Sequence, residues 1–385
     1  MNDPVVGVKA YGWEWANDFA MSMADAADTM RSQGINTVLA QNLVDPLPTS
    51  AVDQAPPVTG YDDYRWTQTL RDHGLTVYQT TAFFFDPEEY AAHPELRGID
   101  QWGREAEPFG WYRGINPTDP DYLDRKLEKV CRAVETTKPD GLFLSFFRFP
   151  GFWELWLPDA PGFAGTHRRD IAEFGFDPQS LRAFAEATGV EVDTSEPRQA
   201  AQVILADHHA AWVAWKTGWL VEVAARVKEA VESVHPGTTL MLNGFGLGEQ
   251  DFGAASREVL GQDLAQLSEV IDVVELMFYF QIQKRDPLTW IPERIQEARG
   301  MTELPILADL QAGAEYLDAS YDPGRRKREI TAADWLGALQ GVAASGADGV
   351  LVYSWRDLLR DQAAGGERVR RLQQYAAGTL PQVGG

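Results

Sequence analysis

The chain has 385 residues, 44% hydrophobic and 24% charged, with a formal net charge of -23. This is the size of one large globular domain or two ordinary ones, and so acidic a surface repels nucleic acid and anionic membranes, excluding both as expected partners. The single cysteine, Cys131, excludes a disulfide framework.

Eight short apolar runs follow one another along the chain, at 5–11, 37–41, 76–85, 141–147, 239–243, 273–280, 306–310 and 349–355. Turn signals precede most of them: Gly34, His73-Gly74, Lys138-Pro139-Asp140, His235-Pro236-Gly237, Pro305 and Gly346-Ala347-Asp348. Helical periodicity lies between them at 20–33, 64–72, 121–136, 200–233, 291–300 and 332–344. Strands that read as near-continuous apolar runs are buried on both faces, as in a parallel sheet. Eight alternations predict an α/β fold, a (β/α)8 TIM barrel, over a doubly wound sheet. The chain reads as a single barrel domain over 1–377, with a tail at 378–385 expected to fray. The connections after strands three and four are long and rich in aromatic residues, and the second, 149–198, holds a short helix. Both are expected to be ordered walls of a cleft. The amino terminus has no basic region, and no stretch reaches the roughly 18 apolar residues of a membrane span. A cytoplasmic location is the expectation.

A barrel of this kind places its site at the carboxyl ends of its strands. That rule selects Trp13, Glu14 and Trp15 after strand one, and Gln41 and Asn42 after strand two. It selects Asp86 after strand three, and Ser145, Arg148, Trp153 and Glu154 after strand four. Asn243, then Tyr279 and Gln281, then Asp309 and Gln311, and finally Trp355, Arg356 and Asp357 complete the set. Carboxylates and amides pair with sugar hydroxyls, and the rings among the chain's 13 tryptophans suit either core packing or stacking on sugar faces. Asp309 ends a buried strand, where a carboxylate is costly unless paired or functional. Glu275 lies mid-strand and reads as half of an internal ion pair, with Lys9 or Arg148. Glu154 stands in Phe152-Trp153-Glu154-Leu155-Trp156, where apolar neighbours raise a carboxyl pKa toward that of a proton donor.

Other chemistries are poorly supplied. No histidine stands at a strand end, so no metal site is expected. Lys9 falls mid-strand, which does not support a Schiff base. The glycines of 244–248 lack the full dinucleotide fingerprint, and no cofactor is expected.

Gly114-Ile115-Asn116-Pro117, Pro120, a helix, then Asp140-Gly141 through Arg148-Phe149-Pro150 resemble the glycoside-hydrolase-like (β/α)8 barrels of bacteria, of the hypothetical glycosyl hydrolase type. His93-Pro94-Glu95, Gly103, Phe174-Gly175-Phe176-Asp177-Pro178, Phe184 and Thr188-Gly189 fit the same pattern. Asp309-Leu310-Gln311-Ala312-Gly313 is similar to the Glu-x-Gln-x-Gly nucleophile segment of retaining β-galactosidase-like barrels. The resemblance implies a barrel that acts on a carbohydrate. Two positions depart from it. Ser145 stands where the first family has a strand-four aspartate, and Asp309 where the second has glutamate; the Asn-Glu pair that the second carries at the end of strand four is absent.

The expectation is therefore a glycoside hydrolase or close relative acting on a soluble saccharide through paired carboxylates. Asp309 serves as nucleophile or base, and Glu154 as proton donor with Glu14 as substitute. Arg148, Asn243 and Tyr279 bind hydroxyls or steady the nucleophile; Trp13, Trp153 and Trp355 stack on sugar rings; Asn42, Asp86, Gln311 and Asp357 complete the binding set. The shorter aspartate widens the pair toward the inverting separation of roughly 6.5–9.5 Å. Two alternatives stay open: a non-catalytic saccharide-binding barrel, and a lyase or isomerase whose Arg148 and Arg356 grip an acidic sugar.

Overall fold

The strands pair in parallel, each with the next, and close into a ring: β1 Val5–Ala10, β2 Thr37–Ala40, β3 Thr76–Ala82, β4 Gly141–Ser145, β5 Thr239–Phe245, β6 Val273–Phe278, β7 Ile306–Gln311 and β8 Gly349–Tyr353. Closure is made by β1 on β8, with Val5 opposite Gly349 and Val8 opposite Val352. The structure is a computed structural model that describes residues 4–11, 13–47, 60–106, 110–159, 164–318, 321 and 326–381. The end of the expected tail, 382–385, lies outside the described residues.

Each strand alternates, as the pleat requires. One set of positions, including Val6, Val8, Val38, Leu142, Leu144, Leu240, Leu242, Ile306, Ala308, Val350 and Val352, belongs to the main core between strands and helices. The intervening positions face inward. Leu39, Tyr78, Phe143, Met241, Leu307 and Leu351, from six strands, form a separate apolar cluster that plugs the barrel.

The helices start where their caps are. Ser22 and Thr331 make capping boxes with Asp25 and Asp334, and Asp62, Asp119 and Asp177 accept from first-turn amides. The periodic stretch 200–233 is not one helix. Pro197–Asp207 and His209–Val234 meet at His208, whose backbone is non-helical. The second helix carries Trp212, which stacks on Phe176 with centroids 4.6 Å apart and donates from Nε1 to Glu173 Oε1 at 2.8 Å. Two further helices, Trp355–Ala363 and Arg368–Ala376, follow β8.

The long connections after β3 and β4 are tied to each other. Gln101 donates to the Ile171 carbonyl and accepts from the Glu173 amide, and Asp100 bridges Phe174. Buried Glu173 then pairs with buried Lys216, 3.3 Å away, which anchors the excursion on the His209–Val234 helix. These ties hold a wall over one side of the barrel mouth. Among the described residues, no helix is long and apolar enough to cross a membrane.

Candidate functional site at the barrel mouth

Above the apolar plug, the next inward positions are polar. Lys9 of β1, Asn243 of β5, Glu275 of β6 and Asp309 of β7 are all at least nine-tenths buried. Lys9 Nζ lies 5.0 Å from the Phe143 ring centroid, directly against the plug. It donates to Asp309 Oδ2 at 2.7 Å and to Glu275 Oε1 at 3.0 Å. Asn243 Nδ2 donates to the other oxygen of Glu275. The expected internal pair of Glu275 is thus made with Lys9. Burial pushes the Glu275 carboxyl well above the usual range, against the pull of Lys9, and the neighbouring Asp309 pushes it further. Burial alone would lower the Lys9 pKa, but Asp309 and Glu275 outweigh it and hold the ammonium charged.

Tyr279, just past β6, covers this layer. Its hydroxyl donates to Asp309 Oδ2 at 2.7 Å, and Lys9 Nζ reaches the same hydroxyl at 3.3 Å. The Tyr279 ring stacks on Tyr353 and leans on Trp153, with centroids 5.5 and 6.0 Å apart.

Over this floor opens a cavity of about 620 Å³. Aromatic side chains make most of its walls, among them Tyr11, Phe85, Trp111, Trp153, Tyr316 and Tyr353. Among the described residues, its charged lining is Lys9, Arg148, Glu154, Glu315 and Asp318. A concave, largely aromatic hollow with a few convergent charges is the usual form of a small-molecule site.

Glu154 is its most distinctive member. It stands in the short helical turn Trp153–Leu155, whose backbone is pinned when Arg326 donates to the Glu154 carbonyl and Gln283 to the Trp153 carbonyl. The residue is 6% exposed, and its Oε2 has no hydrogen-bond partner. Burial pushes its pKa up to about 7, although the positive charges of Arg148 and Arg326 and its own backbone amide oppose the rise. Near neutrality it is therefore a carboxylic acid with a proton to give, the state a general acid needs. Glu315 is also raised, by burial and then by the charge of Asp357.

The expected site residues divide into two groups. Arg148, Trp153, Glu154, Asn243 and Tyr279 line the cavity. Asp309 is not in the described lining; it is fully buried and bonds to two lining residues, Tyr279 and Lys9. The others are placed elsewhere. Trp13 is in the main core, edge-on to Tyr61, and Trp355 is buried there with its Nε1 donating to Gln33. These indoles follow their strands in chain order, but the chain has already turned outward to pack on the barrel. Asn42 accepts from the Asp45 amide, and Asp86 caps the Pro87–Ala92 helix. Gln311 is engaged by Gln281 and by the amides of residues 281 and 282, and Asp357 accepts from Ser354. Arg356 opens a helix and is not in the lining. The side chain of Glu14 lies outside the described residues. Tyr11, Trp111, Glu315 and Tyr316 were not selected from sequence. The length of the connection 312–331, not weighed from the sequence, is the one signal that could have pointed to the last two. Among the described residues, no group of His, Cys, Asp or Glu is arranged to hold a metal ion.

No protein-family model and no curated protein sequence matches the chain. Solved structures do. The PgaB (BpsB) glycoside hydrolase domain from Bordetella bronchiseptica superposes with a TM-score of 0.64 at 15% identity, over 95% of this chain and 98% of that one. The catalytic domain of the β-amylase from Paenibacillus polymyxa gives 0.60 at 11% identity, over 99% and 100%. The β-galactosidase from the haloarchaeon Halorubrum lacusprofundi gives 0.65 at 16% identity, over 99% of this chain and 58% of that one. At these identities the likeness establishes the shared barrel.

Proposed function

We propose that this barrel binds a saccharide in its mouth cavity and cleaves a glycosidic bond, with Glu154 as the proton donor. One observation carries the reading: a buried carboxyl, its pKa raised to about 7, faces an aromatic cavity with one oxygen unpartnered. The structurally similar barrels include a glycoside hydrolase domain, a β-amylase and a β-galactosidase, which supports a carbohydrate ligand. In the reaction Glu154 protonates the departing oxygen as the glycosidic C–O bond breaks, and a solvent water then adds to the anomeric carbon and returns its proton to the Glu154 carboxylate, so the products are two sugars and the acid is restored. The Tyr279 hydroxyl, donating to Asp309, supports the positive charge that develops on the sugar ring, and Asp309 acts through it rather than by direct contact.

The test is a panel of aryl and alkyl glycosides assayed with wild type, Glu154→Gln and Asp309→Asn. Glu154→Gln is expected to lose about 10²–10⁴-fold in kcat on alkyl glycosides, and far less on nitrophenyl glycosides, whose leaving group needs little protonation. Equal losses on both substrate types would remove Glu154 from the role of acid. Full activity in Asp309→Asn would remove Asp309 from the mechanism. The placement of Asp309 beneath the floor favours a second reading, a saccharide-binding barrel without hydrolysis, which predicts binding with no turnover on any member of the panel.

A further inference from the structure

Arg148 follows β4 and lines the cavity, yet is only 2% exposed. Its guanidinium lies 5.0 Å from the ring centroids of both Phe146 and Phe245, which fix its plane. Nε and Nη2 are buried and have no hydrogen-bond partner. These two nitrogens form the side-on edge of the guanidinium, whose parallel N–H bonds match a pair of oxygens on one carboxylate or sulfate. A buried cation with its fork unpaired is costly, and such a group persists where a ligand offsets the cost.

The described neighbours leave Nε and Nη2 without a partner. The Tyr112 hydroxyl interacts with the guanidinium but satisfies neither of these two nitrogens, and the nearby carboxyl is Glu154, which burial keeps protonated up to about 7. Lys9, the other cation among the described lining residues, is already matched by Asp309 and Glu275. An incoming anion therefore meets Arg148.

We infer that the saccharide taken by this cavity carries an oxyanion, either a ring carboxylate or a sulfate ester, received side-on by Nε and Nη2 of Arg148. The inference rests on the saccharide reading above and names the substrate class within it. Phe146 and Phe245 set the orientation of the fork, so the anion enters in the plane they define. The sugar ring then extends toward Glu154, Trp153 and Tyr279.

Calorimetric titration with matched methyl glycosides tests this: glucuronide against glucoside, galacturonide against galactoside, and the 6-sulfated form of each neutral sugar. Wild type should bind one acidic class about tenfold or more tightly than its neutral partner. The carboxylate and sulfate arms tell which oxyanion is recognised. Arg148→Met should bring the ratio to about one. Arg148→Lys keeps the charge but not the fork, so it should retain only part of the preference. Acidic and neutral sugars binding equally to wild type would overturn the inference and leave the saccharide reading standing. A full preference surviving in either variant would also overturn it. Binding of none of the sugars would overturn both.

Discussion

Glu154 shows how a side chain's surroundings set its chemistry. The carboxyl is dehydrated by tryptophan and tyrosine walls, and the nearby guanidinium groups do not fully compensate. Two consequences follow, and both decline as the pH rises. In its proposed role of proton donor Glu154 would lose competence when it ionises, so kcat/KM for alkyl glycosides should fall about tenfold per pH unit above about 7. As a structural element its folded pKa lies above the ordinary 4.5, so the folded state holds the proton more tightly than the unfolded chain. That contribution to stability is full below about 4.5 and is lost as the pH rises to about 7. It amounts to roughly 3 kcal/mol, and urea unfolding should show Glu154→Gln gaining on wild type by this amount between pH 4 and 8. Lys9 is the converse case. Lys9→Met leaves Asp309 buried without its cation and should cost about 3–5 kcal/mol by the same measurement. A smaller loss would mean that Tyr279 and water satisfy Asp309 unaided.

Strands are the best-determined elements, for a local reason. A strand buried on both faces needs apolar residues at nearly every position, and the eight apolar runs correspond to the eight strands, with differences only at their ends. The helices after β8 were less evident, being short and rich in charged residues. Glycine at the start of a strand has a tertiary cause. At Gly349 an added Cβ would lie 2.2 Å from the Val5 carbonyl oxygen, across the pair that closes the barrel. Gly349→Ala must therefore shift backbone, and is expected to cost about 1–3 kcal/mol or more in urea unfolding. An unchanged midpoint would show that the β1–β8 seam gives way cheaply. The strand-end rule found Arg148, Trp153, Glu154, Asn243 and Tyr279 because these stand where the pleat or the first turn beyond it aims side chains at the mouth. It could not find Glu315 and Tyr316, which reach the cavity by the path of a long connection.

At the scale of the whole molecule the net charge of -23 is a cost to compactness. Raising salt from about 0.05 to 0.5 M shortens the screening length and should raise Tm, because surface repulsion is screened more than the buried Lys9–Asp309 and Lys216–Glu173 pairs. A falling Tm would mean that exposed ion pairs outweigh the repulsion. Order, alternation and the pole of the barrel at which the cavity opens were legible in the sequence alone, since each depends on patterns a few residues long. Tertiary structure decided which polar residues share the hollow, that Asp309 lies under Tyr279 rather than open to a ligand, and that Trp13 and Trp355 turn to the core. Those outcomes depend on closure of the ring and on the paths of long connections, which bring together residues far apart in the chain and leave no local signature.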